Sequence, residues 1–137
     1  MGLILDSSIL IAAERRGDSP KEVIRKTTLL IGDQDAAISA VGLTELVHGV
    51  FRADSSQRQA RRRLFVDELL IAMKVYPYTL ETAMLAGRID GEQMAKGVSI
   101  PFGDLLIGAT ALSIGFSVLT TNMRHFQWIP GLNVISF

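Results

Sequence analysis

Short apolar runs alternate along this chain with segments of helical period. Leu3-Ile4-Leu5, Ala36 to Ala40, Val75-Tyr76, Ser117 to Thr121 and Asn133 to Ser136 have the length and content of brief strands. Between them lie helical signals. Ile9 to Arg16 is stopped by Gly17, and Ser19-Pro20-Lys21-Glu22 combines an N-cap serine, a proline at the first helical position and a glutamate three residues after the cap. Leu43, Leu46, Val47, Val50 and Phe51 repeat at helical spacing. Asp54-Ser55-Ser56 breaks that helix, and further helical stretches run over 57–73 and about 79–96, the second closed by Gly97. The stretch 103–114 is apolar nearly all round, which predicts a buried helix ending at Gly115. Strands that alternate with helices pair in parallel, because each return crosses over through a helix that covers the sheet. The predicted class is α/β, as one domain over residues 1–137 with no repeat or linker to divide it.

In such sheets ligands sit beyond the carboxyl ends of the strands. Asp6 directly follows the first strand and Asn122 directly follows the fourth. Glu45 falls early in the helix after the second strand, beside its apolar stripe, and Asp104 opens the buried helix behind Ile100-Pro101-Phe102-Gly103. Each acid also has a local reading. Asp6 fits a helix cap, Asp104 a first-turn acid favoured by the helix dipole, and Glu45 a solvated helix edge. Taken together, carboxylates in one cleft repel by roughly 3 kcal/mol per pair at about 5 Å and an effective dielectric near 20, and a cation removes that penalty. With no cysteine and only two histidines, the ligands are oxygens, which favours a hard ion, Mg²⁺ or Mn²⁺. Such an ion can activate a water and steady the charge on a phosphodiester, so the residues point to metal-assisted phosphodiester cleavage.

The balance of charge narrows the partners. Cations and anions number 14 each, so no global basic field advertises nucleic acid, and local clusters must do that work. Arg15-Arg16 form one cluster and Arg58, Arg61, Arg62 and Arg63 another, while Arg124 lies nearest in sequence to the acids. Three consecutive arginines on a helix fan over about 200° and cannot all face one ligand; a solvated helix end and a rim holding RNA phosphates are both open. Phe102 and Trp128 could stack on bases, although aromatics beside Pro or Ile more often join the core. Apolar residues make up 48% of the chain, an excess that suggests a full core or apolar surface kept against a partner. No run approaches the roughly 20 apolar residues of a membrane span, and Asp6 and Glu14 interrupt the apolar start, against a signal-peptide core. The absence of cysteine suits a reducing compartment, and a cytoplasmic protein is expected.

Four segments in register resemble a known family. Leu3-Ile4-Leu5-Asp6-Ser7-Ser8-Ile9-Leu10-Ile11 is similar to the opening strand and acid of a PIN domain, and Thr44-Glu45-Leu46 with His48-Gly49-Val50 to its second acidic motif. Ile100 to Ala109, around Asp104, is similar to the third. Leu119-Thr120-Thr121-Asn122, His125-Phe126 and Ile129-Pro130-Gly131-Leu132 resemble the ending of VapC-type toxins, the ribonucleases of bacterial toxin–antitoxin pairs. The likeness runs from residue 3 to 136. It implies a three-layer α/β/α sandwich with a mostly parallel five-stranded sheet, RNA cleavage dependent on Mg²⁺ or Mn²⁺, a homodimer, and an antitoxin that lays a C-terminal segment over the cleft. By resemblance, Asp6, Glu45 and Asp104 are the catalytic metal ligands, Ser8 orients a water of the site, and Thr120 braces the cleft. Many relatives carry a further acid in the last motif; here Asn122 and His125 stand in that region. Asn122 can offer only a neutral carbonyl, which puts a second metal in doubt, and His125 is expected to pack beside Phe126 rather than meet phosphate.

Three other readings compete. A phosphoryl-transfer enzyme using Asp6 as nucleophile would commonly carry a second Asp two residues on, where Ser8 stands, and no Gly-rich loop precedes a Lys-Ser/Thr pair. A binding module that has lost its chemistry would have little reason to keep three mutually repelling acids. A housekeeping RNA-processing nuclease would share the site but lack an antitoxin.

Overall fold

The computed structural model describes residues 2–137. Its strands are β1 (Gly2–Leu5), β2 (Asp35–Ser39), β3 (Lys74–Tyr76), β4 (Ser117–Thr120) and β5 (Val134–Ser136). The helices are α1 (Ser7–Arg16), α2 (Pro20–Ile31), α3 (Ala40–Phe51), α4 (Ser56–Ala72), α5 (Leu80–Ala95), α6 (Phe102–Ser113) and the short α7 (Met123–Phe126). The sheet order is β3-β2-β1-β4-β5. All four pairings are parallel, so the sheet expected to be mostly parallel is wholly so.

Side chains of successive strand residues point to opposite faces, and the core divides accordingly. Leu5, Ile38 and Leu119 join α1, α3 and α4 through Ile9, Leu10, Leu46, Phe65 and Leu69. Ile4, Ala37 and Val118 join α5, α6 and α7 through Ile89, Leu105, Ile107 and Phe126. This is the expected α/β/α sandwich. Strands buried on both faces need no polar alternation, which explains why β1 reads as a continuous apolar run, and all four of its residues are buried.

Local chemistry sets the element ends. The Ser19 hydroxyl accepts from the Glu22 N–H at 3.3 Å, while the Glu22 carboxylate accepts from the Ser19 N–H at 3.1 Å, completing the capping box. Ser39 closes β2 and caps α3 by accepting from the Gly42 N–H at 3.0 Å, so the strand expected to reach Ala40 ends one residue sooner and the helix starts there. Gly115 takes the left-handed backbone, φ 72°, expected of a residue just past a helix end. The region between the last two strands, which reads in the sequence as a loop, contains α7, whose four residues are too few to show a helical period.

Counting outward from β1, the chain adds β2 and β3 on one side and β4 and β5 on the other. The crossovers therefore diverge between β1 and β4, and a crevice opens past the carboxyl ends of those two strands. Asp6 follows β1, and Thr120 is the last residue of β4.

Candidate metal centre

Asp6 is 2% exposed. It stands at the N-cap position of α1 but caps nothing with its side chain, which removes the helix-cap reading. Its Oδ2 accepts two hydroxyl protons, from Ser8 Oγ at 2.7 Å and Thr120 Oγ1 at 2.8 Å. Its Oδ1 is buried with no hydrogen-bond partner among the described residues. A carboxylate oxygen kept from both water and donors is costly, and a cation is the partner that would satisfy it. Thr120 Oγ1, in donating to Asp6, also accepts from the Asn122 N–H at 2.9 Å. Ser8 Oγ accepts from the Thr121 N–H at 3.4 Å. The ends of β1 and β4 are thus tied through one carboxylate, and the backbone ties them as well, the Asp6 N–H donating to the Leu119 carbonyl at 2.9 Å.

Glu45 reaches the same crevice from α3. Its Oε1 accepts from Ser7 Oγ at 2.8 Å, and its Oε2 lies against the bare Cα of Gly103, where an added Cβ would stand 3.2 Å away. Asp104 enters from the first turn of α6. Burial holds the Glu45 carboxyl above the ordinary glutamate range, with the charges of Asp6 and Asp104 adding to the rise and the Ser7 hydroxyl opposing it. Burial likewise raises Asp104, helped by the charge of Asp6 and opposed by His125. The three carboxylates act on one another electrostatically, which is the behaviour of a single site. Among the described residues, no three His, Cys, Asp or Glu side chains already enclose a metal-sized gap. Mg²⁺ does not require one, since it keeps several waters and takes only one or two carboxylates directly. The unpartnered Asp6 Oδ1 fits that demand.

Several residues stand differently from expectation. His125 does not simply pack beside Phe126. Its Nδ1 lies 2.8 Å from Asp104 Oδ2 with the imidazole 39% exposed, while Phe126 turns into the core. Asn122 presents its backbone N–H to Thr120, and its side chain is exposed. Phe102 and Trp128 are 69% and 48% exposed rather than buried, the first two residues from Asp104. Arg124 is exposed on α7 beside His125. Arg15 is exposed at the end of α1, and Arg16 is engaged with Asp18 at 3.0 Å, an acid it shares with Lys26. Ser7 joins the site without any warning from the sequence. Only its place on the first turn of α1, facing α3, reveals it, and no motif spacing signals that contact.

A three-layer parallel sandwich with acids from three elements at the β1/β4 divergence is the arrangement of a PIN domain. The PIN domain family matches residues 3–130, and the chain belongs to that family. It is 33% identical to Ribonuclease VapC1 of Rickettsia felis, over 99% of this chain and 96% of the relative. It is 32% identical to the tRNA(fMet)-specific endonuclease VapC of Salmonella typhimurium, over 71% of each. Among solved structures, DNA-bound VapBC from Salmonella typhimurium superposes with a TM-score of 0.83 at 26% identity, over 99% of this chain and 98% of that one.

Proposed function

We propose that this protein is a Mg²⁺- or Mn²⁺-dependent endoribonuclease acting as the toxin of a bacterial toxin–antitoxin pair. The observation that carries the reading is the buried, partnerless Oδ1 of Asp6, at the strand divergence and within the electrostatic reach of Glu45 and Asp104. Asp6, Glu45 and Asp104 would hold the ion. When bound, it offsets the carboxylate repulsion and supplies Lewis acidity to the phosphodiester undergoing hydrolysis. The chain's own residues prepare that site. Ser8 and Thr120 occupy Asp6 Oδ2 and so aim Oδ1 into the crevice, and Ser8 stands where it can orient a water. Ser7 holds Glu45 Oε1, leaving Oε2 turned toward α6. The Asn122 backbone fixes Thr120. Arg124, with Arg15 at the end of α1, supplies rim cations for the RNA backbone, while Arg16 is taken up by Asp18.

The family relatives named as ribonucleases support the substrate class, and the VapBC complex supports a cognate antitoxin as partner. A homodimer is part of the reading, supported by large apolar side chains left exposed, including Ile71 at 88% and Leu80 at 79%. Among the described residues no helix is long and apolar enough to cross a membrane, and the reading places the enzyme with its RNA in the cytoplasm. The test is cleavage of cellular RNA by the purified protein in Mg²⁺ or Mn²⁺. Cleavage should stop with a chelator and be lost in Asp6→Asn and Asp104→Asn variants that melt as folded proteins. Cleavage that persists in chelator and in both variants would overturn it.

A further inference from the structure

The arginines of α4 do not behave as one cluster. Arg63 turns away, its guanidinium 5.3 Å from the centre of the Phe51 ring. Arg58, Arg61 and Arg62, spaced i, i+3 and i+4, share the other side of the helix, and with Arg15 and Glu14 of α1 they line a groove between the two helices. Arg62 is held there, one guanidinium N–H donating to the Gly49 carbonyl of α3 at 2.7 Å. The remaining guanidinium donors stay available. The surface pair of Arg58 with Asp54, at 3.6 Å and exposed on both sides, competes weakly. Four cations against one anion stand here in a chain whose charges cancel overall.

The groove is not isolated. Glu14, Arg15 and Arg62 also border an adjoining hollow whose apolar floor is Ile11, Leu46, Phe65 and Val66 and which Glu45 lines as well. The hollow therefore runs from a carboxylate of the metal centre to the arginines. Along α1, the eight helical steps from Ser7 to Arg15 measure about 12 Å, a span that a single strand covers in a few nucleotides. An occupant must present anions to the arginines and an apolar face to the floor, and a nucleotide strand has both. The planar guanidinium forks match phosphate oxygens.

We propose that this groove seats the RNA strand on one side of the cleavage point, with Arg15, Arg58, Arg61 and Arg62 taking successive phosphates and the apolar floor taking ribose or base. The proposal rests on the nuclease reading above and adds to it the path of the strand.

The test measures binding of a short single-stranded RNA oligonucleotide to the full chain in chelator, where no cleavage occurs, across a salt series. Arg58→Gln/Arg61→Gln should raise Kd by at least tenfold and reduce the slope of log K against log salt by about 1.4, at about 0.7 per lost phosphate contact. Arg15→Gln should give about half that change in slope. Arg25→Gln/Arg88→Gln, altering exposed cations on α2 and α5, should leave both quantities unchanged. If wild type binds and cleaves RNA while the α4 variant matches it in Kd and slope, the groove assignment is wrong and the nuclease reading stands. The groove assignment fails equally if the variant keeps its RNA affinity but loses that for the antitoxin, since the groove then belongs to a protein. If folded wild type neither binds nor cleaves RNA, both fall.

Discussion

The Nδ1 of His125 lies 2.8 Å from Oδ2 of Asp104, joining α7 to the first turn of α6. In the region where the resemblance implies a further acid, this chain places a donor against one of its carboxylates. The substitution changes the role of the position. An acid there would add a fourth negative charge and a possible ligand; an imidazole removes repulsion and fixes the direction in which Asp104 presents its other oxygen. Hydrogen bonds of this kind to ligating carboxylates tune how well an ion is held.

His125→Ala should therefore weaken Mg²⁺ or Mn²⁺ binding by about tenfold, the lower end of what loss of such a supporting contact causes, with a smaller loss in His125→Asn. Calorimetric titration of the ion into the metal-free protein checks this. Equal affinity in wild type and His125→Ala would show that Asp104 needs no help to keep its direction.

Thr120→Val keeps the shape of a fully buried side chain and removes both the donor to Asp6 Oδ2 and the acceptor for the Asn122 N–H. Loss of these two contacts in a buried setting should destabilise the fold by about 1–3 kcal/mol. Urea unfolding gives the value, and cleavage should fall with it because Asp6 is no longer aimed.

The raised carboxyls of Glu45 and Asp104 make stability depend on pH in the opposite sense from an ion-paired acid. A folded-state pKa above the unfolded value means the folded form holds its proton more tightly. The contribution to stability is complete below the unfolded values, near 4.5 for Glu45 and 3.8 for Asp104, and is lost as pH rises through the folded ones. Metal-free protein at pH 7 should thus be relieved by Glu45→Gln, whose amide oxygen can still accept from Ser7. A gain on the order of 1 kcal/mol, a few degrees in melting temperature, is expected after allowance for solvent screening. The difference should vanish near pH 3.5 and shrink when Mg²⁺ is added. A Glu45→Gln protein that melts lower in chelator at pH 7 would mean that the Ser7 contact outweighs the crowding.

Gly103 tests how tightly Glu45 is confined. A methyl group at this position would meet Oε2 at 3.2 Å, so Gly103→Ala should shift the carboxylate by a few tenths of an ångström and reduce cleavage, while thermal melts shift little. Undiminished cleavage would show that Glu45 moves without consequence.

Much of this is legible in the chain itself because burial on both faces of a parallel sheet leaves an unmistakable pattern. Leu3-Ile4-Leu5 ending in Asp6 announces both the central strand and the acid beyond it. Ser19 and Glu22 mark α2 because their contacts are local. The features that stay hidden depend on contacts between distant segments. Ser7 reads as one more small polar residue until α1 and α3 pack and Glu45 arrives. His125 reads as a neighbour of Phe126 because adjacency in sequence says nothing of the turn of α7 that sends one into the core and the other to Asp104. Phe102 and Trp128 stand exposed for a related reason, since flanking Pro and Ile do not reveal which side of a short element faces solvent.

The tie between Asp6 and Thr120 spans 114 residues, and it sets a timetable. During synthesis the hydroxyl that aims the first acid is made 114 residues after it. Until β4 inserts beside β1, Asp6 lacks the Thr120 contact and the Leu119 carbonyl that its N–H needs. A chain that has not yet made β4 therefore lacks both contacts that set Asp6 in place, and the first acid is positioned only after the strand that follows it by more than a hundred residues has joined the sheet.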